Sequence, residues 1–71
     1  MTGNELLRKL RDLARRRGVV FAFSSTGGKG GHGVITFGDR STTLRSSRQK
    51  EIPDGTLHAM LSQLGIRLRD L

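Results

Sequence analysis

The chain has 71 residues, with 13 Lys and Arg against six Asp and Glu, a formal net charge of +7, and no cysteine. A disulfide framework and thiolate chemistry are therefore excluded, and no apolar run approaches the roughly 20 residues of a membrane-crossing helix. So short a chain is expected to form one domain, 1–71, that buries only roughly 60% of the surface its unfolded state exposes.

The cation excess favours nucleic acid, an anionic membrane surface or an acidic protein as partner. Ten of the 13 cations are arginine, whose planar fork suits bidentate phosphate contacts. The N-terminal residues lack the apolar stretch of a signal peptide, so the chain reads as soluble and cytoplasmic. With three Phe and no Trp or Tyr, few aromatic platforms are present for base stacking.

Leu6, Leu7, Leu10, Leu13 and Ala14 recur at helical spacing. Arg8, Arg11 and Arg15 fall on the opposite side of the helical wheel, with Lys9 and Arg16 at the flank. Thr2 and Glu5 match a capping box, and Gly18 suits the position just past a helix end. Arg15, Arg16 and Arg17 sit where the helix dipole favours cations. The spacing predicts a helix over 3–17.

Val19 to Ser25 is rich in β-branched and aromatic residues, with Val19, Phe21 and Phe23 on one face. A loop of glycines follows, Gly27-Gly28-Lys29-Gly30-Gly31-His32-Gly33. Val34 to Phe37 and Ser41 to Arg45 then read as two strands, joined by Gly38-Asp39 as a two-residue hairpin turn with glycine first. That turn sets the register, pairing Phe37 with Arg40, Ile35 with Thr42 and Gly33 with Leu44. Ile35, Phe37, Thr42 and Leu44 are then the core face, and Val34, Thr36, Ser41 and Thr43 the outer one. One step further, His32 joins the outer face opposite Arg45.

Ser46 to Lys50 reads as a polar, basic loop. Asp54 reads as the N-cap of a second helix with Leu57, Met60, Leu61 and Leu64 as its apolar stripe and Gly65 as its stop. Residues 67–71 read as a frayed tail. The fold class is α+β, in the order α-β-β-β-α: a three-stranded antiparallel sheet with both helices packed on one face. The other face stays open, with His32 at its edge.

Histidine titrates near neutral pH, ordinarily at about 6.5, so a loop His can exchange protons with a substrate. His32 is the candidate general base or acid for cleaving a phosphodiester. Lys29, Arg45, Arg48 and Lys50 flank it and could hold phosphates or stabilise charge on the phosphoryl oxygens. Gly28 to Gly33 formally matches a dinucleotide fingerprint, but a strand follows it where a helix is needed. No Gly-Lys-Ser or Gly-Lys-Thr closes the loop as in a P-loop. His58 borders the apolar stripe of the second helix and reads as a surface residue. His32 and His58 without cysteine are too few ligands for a typical zinc site, and the carboxylates are scattered singly. No metal and no cofactor are expected.

With these pieces in place, the chain resembles the HicA family of bacterial toxins, small ribonucleases that cleave messenger RNA. The resemblance runs from Glu5 to Ile66. It rests on Leu6-Leu7 and Leu10, on Lys29-Gly30-Gly31-His32, on Ile52-Pro53-Asp54-Gly55-Thr56-Leu57, and on Met60-Leu61-Ser62-Gln63-Leu64-Gly65-Ile66. The family usually reads Lys-Gly-Ser-His at the loop, so Gly31 stands where it has a serine, and the loop is richer in glycine. The resemblance implies a double-stranded-RNA-binding-like fold, a catalytic histidine at His32 and a cognate HicB antitoxin, with the toxin monomeric when free and part of a hetero-oligomer with the antitoxin.

The expectation is therefore a metal-independent endoribonuclease. His32 transfers the proton, Lys29 and Arg45 are the nearest phosphate clamps, and Arg48 and Lys50 stand behind them. Arg8, Arg11 and Arg15 of the first helix would track RNA or meet an acidic antitoxin surface. A non-catalytic module that binds double-stranded nucleic acid by shape has the same fold and charge, and a structural partner of an acidic protein is a third reading.

Overall fold

The computed structural model describes residues 1–25, 32–45 and 48–71. Helix α1 spans Gly3–Arg17, strands β1, β2 and β3 span Phe21–Ser25, Gly33–Phe37 and Arg40–Leu44, and helix α2 spans Asp54–Leu64. The strands form one antiparallel sheet in the order β1-β2-β3. This is the α+β layout expected from the sequence.

Helix α1 starts and stops where its sequence says it should. The Glu5 backbone N–H donates to the Thr2 hydroxyl at 3.2 Å, and the Thr2 N–H donates to the Glu5 carboxylate at 3.0 Å. Gly18 closes the helix in the left-handed region. An N-cap side chain such as that of Thr2 typically contributes about 1 kcal/mol. The next donors of the first turn go to the chain before α2: Asn4 N–H to the Arg48 carbonyl at 2.8 Å and Gly3 N–H to the Lys50 carbonyl at 3.4 Å. Those carbonyls satisfy helix-end donors that would otherwise be orphaned.

Strand β1 begins later than its composition suggests. Val19 and Val20 lie outside it because the Val19 N–H is committed to the Ala14 carbonyl, finishing the helix cap. Val20 instead offers its carbonyl to Gly38 N–H at 2.7 Å, and its side chain is 68% exposed. The β2–β3 register is the one the turn dictates: Phe37↔Arg40, Ile35↔Thr42 and Gly33↔Leu44. Gly38 has φ 64°, and among the described residues no non-glycine residue has positive φ, as a glycine-first turn requires.

The alternation sorts the two faces as expected. Ile35, Phe37, Thr42 and Leu44 are buried, while Val34, Ser41 and Thr43 are exposed. Helix α1 packs against β1 and α2 against β3, with Leu6, Leu10, Ile35, Leu44 and Leu61 at the fully buried centre. Phe21 and Phe23 are half-buried against this cluster.

Two expectations are corrected. Asp54 is not the N-cap of α2: Pro53 is, with an extended ψ of 145°, and its carbonyl accepts the first helical bond from Leu57 N–H at 2.8 Å. Asp54 becomes the first helical residue, where its charge suits the helix dipole. Nor do residues 67–71 fray. Leu68–Asp70 form a 3₁₀ turn, the Asp70 carboxylate accepts from Arg67 N–H at 3.0 Å and pairs with Arg17 at 3.3 Å, and Leu71 packs on the core. The basic end of α1 supplies the opposite charge that holds this segment. No helix among the described residues is long and apolar enough to cross a membrane.

Candidate active site

His32 sits immediately before β2, and Arg45 immediately after β3. The ladder between these strands ends at Gly33↔Leu44, so His32 and Arg45 are the next residues outward on each side. Both are exposed. By alternation His32 shares the open face with Val34 and Thr36, and Arg45 shares it with Thr43. Adjacent strands run about 4.8 Å apart, so the imidazole and the guanidinium emerge on one face of one sheet end.

Gly33 anchors this end from the opposite face. A Cβ on Gly33 would lie 2.5 Å from the Ser24 carbonyl oxygen and 2.7 Å from Cζ of Phe23. The Phe23 ring therefore lies across the bare backbone of β2, one residue from His32. Arg48 in turn places its guanidinium over that ring, 5.6 Å from the centroid. An arginine over an aromatic face at this separation is held by the ring quadrupole.

The chain carrying Arg48 and Lys50 is fixed by α1. Their carbonyls accept from Asn4 and Gly3, and a Cβ on Gly3 would come within 2.8 Å of Arg48 Cα. Only a glycine at the start of α1 allows that approach. Ile52 N–H donates to the Met1 carbonyl at 2.8 Å, tying down the next stretch. The side chains of Arg45, Arg48 and Lys50 are all exposed. Glu51 is paired with the Met1 amino group and Glu5 is engaged in the capping box. Hydrogen bonds from the Thr2 N–H and hydroxyl hold the Glu5 carboxyl below its usual value.

Of the residues expected to contact RNA, Lys29 lies outside the described residues. Arg8, Arg11 and Arg15 are exposed on α1, but Arg11 and Arg15 are not gathered around His32. Arg11 covers Phe21 at 5.8 Å from the ring centroid, at the far end of β1 from the Ser25↔Gly33 pair. At about 3.3 Å per residue that is roughly 13 Å along the strand. Arg15 is in the last turn of α1 and pairs with Asp12 at 3.5 Å. His58 is exposed on α2, beside a separate cleft with Ser62, Arg67 and Arg69.

Sequence reasoning missed the Gly33–Phe23–Arg48 stack. Its signal was a cross-strand diagonal between a phenylalanine and a glycine, visible only once β1 is registered against β2. Among the described residues, no group of three or more His, Cys, Asp or Glu could hold a metal ion. Comparison of the chain with family models, with curated proteins and with solved structures gave no match.

Proposed function

We propose that this protein is an endoribonuclease of the HicA toxin type, acting on messenger RNA in the cytoplasm and held in check by an acidic HicB-type antitoxin. The observation that carries the reading is the exposed His32 beside Arg45 on the open face of the sheet. An imidazole at that place can take the proton of a ribose 2′-hydroxyl. The freed 2′ oxygen attacks the adjacent phosphorus, the bond to the 5′ oxygen breaks, and that oxygen leaves with a proton drawn from water, while the imidazolium gives its proton back to solvent. The products are a 2′,3′-cyclic phosphate and a 5′-hydroxyl.

Arg45, with Lys29 and Lys50, supplies cations for the phosphoryl oxygens as charge builds on them. Proton transfer through one histidine and charge stabilisation by arginine need no metal. The resemblance of the loop and the last helix to the HicA pattern supports the same chemistry, with Gly31 in place of the usual serine.

The test is incubation of the purified protein with a defined RNA in EDTA, followed by analysis of the ends produced. Cyclic phosphate and 5′-hydroxyl ends are expected. Intact RNA that shifts on a gel in a salt-dependent way would overturn the reading in favour of a non-catalytic binding module.

A further inference from the structure

Beside Arg45 a small groove opens between β3 and α2, about 180 Å³ in volume. Clefts for drug-sized ligands run to about 300–1,000 Å³, so this groove has room for one flat ring and little more.

Strand β3 is an edge of the sheet, and the hydrogen-bonding parity of the ladder says which of its backbone groups are free. The bond from Gly38 N–H to the Val20 carbonyl turns the even-numbered residues of β2 towards β1. Its odd-numbered residues therefore bond to β3, and their partners there are Arg40, Thr42 and Leu44. In an antiparallel ladder the alternate residues point their N–H and C=O the other way. Thr43 thus presents both groups to the open edge, where the groove lies.

The remaining lining is neutral. Ala59 and the buried Met60 contribute apolar surface. Thr56 contributes a hydroxyl. The Thr42 hydroxyl donates to Oε1 of Gln63, which leaves the Gln63 amide NH₂ as the donor on that side. Arg45 also lines the groove, shared with the His32 end of the sheet, and among the described residues no carboxylate lines it.

An apolar surface bordered by neutral donors and acceptors, with one cation in its lining, matches an unpaired nucleobase with its phosphate. We propose that this groove holds the base next to the scissile phosphate and sets the cleavage preference, with the Thr43 backbone, the Thr56 hydroxyl and the Gln63 amide reading the edge of the base. The inference rests on the ribonuclease reading above and adds a substrate class to it: RNA that is single-stranded at the cut. A base already paired in a duplex has its edge occupied and cannot enter.

The experiment compares cleavage of an RNA pool randomised around one site by the wild type, Thr56→Val and Gln63→Met, each checked for fold by far-UV circular dichroism. Thr56→Val keeps the shape of an exposed side chain and removes a hydroxyl of the groove, so it reports even if Gln63→Met is unstable. The wild type is expected to prefer one base at a position flanking the cut. In the variants kcat/KM on the preferred RNA is expected to fall about tenfold towards the value for the others, the scale of one lost base contact. His32→Ala, by contrast, loses all RNAs alike. A wild type that cuts no RNA overturns the ribonuclease reading and this inference together. A wild type that cuts, with the same preference in both variants, or that cuts a duplex as readily as a single strand, overturns this inference alone.

Discussion

The ring of Phe23 occupies the space that a side chain on Gly33 would need. Phe23 sits on β1 and Gly33 is diagonal to it on β2, one residue from His32. Packing, charge and the candidate site meet at this contact, because the same ring carries the guanidinium of Arg48.

Gly33→Ala is therefore expected to destabilise the fold. The new Cβ would meet the Ser24 carbonyl oxygen at 2.5 Å as well as the ring. A ring can tilt, but a carbonyl held in a sheet cannot move without disturbing the β1–β2 ladder. Overpacking of this kind costs about 1–3 kcal/mol, measurable as a lower midpoint in urea unfolding. An unchanged midpoint would mean that the ring does not hold this end of β2.

The cations should divide by their place on the sheet. Arg45→Ala is expected to lower kcat/KM on RNA by about tenfold. Arg11→Ala and Arg15→Ala, at the other end of the sheet, should cost less than about threefold. Each phosphate contact removed should also reduce the slope of log binding constant against log salt by about one. Equal losses at both ends would place the RNA along α1 rather than across the His32 end.

Acid should loosen the two ends of the chain together. The Arg67 N–H, and then Arg17, lower the Asp70 carboxyl from its usual value, as Thr2 lowers Glu5. A carboxyl whose folded value lies below its unfolded one stabilises the fold above the unfolded value. That contribution is lost as pH falls through the folded value. The melting temperature should hold steady above about pH 5 and decline below about pH 4, the ordinary range of Asp and Glu. Asp70→Asn should flatten part of that decline. A profile identical to that of the parent would show that Asp70 does not anchor the C-terminal turn.

Local signals carried much of this structure. The Gly38-Asp39 turn determined which residues of β2 and β3 face each other, and so brought His32 and Arg45 to one sheet end. Thr2, Glu5 and Gly18 bounded α1 because capping is a short-range matter. What escaped were the features that depend on how separate elements meet. The helical wheel put Arg11 and Arg15 on the solvent side of α1 but could not say which end of the sheet they overlie. Asp54 looked like a cap until Pro53 took that place, and residues 67–71 looked loose because their charge partner, Arg17, is far away in sequence. The groove beside Thr43 needed the packing of α2 on β3 before it existed at all.

The most direct measurement is the rate at which His32→Ala cleaves a defined RNA, set beside the wild type in the same buffer. His32 is exposed, so its removal should leave the circular dichroism spectrum and the melting temperature nearly unchanged. Cleavage should fall by about 100-fold or more, the lower end of what general acid–base catalysis supplies. A folded His32→Ala protein that degrades the RNA at the parental rate would contradict the account.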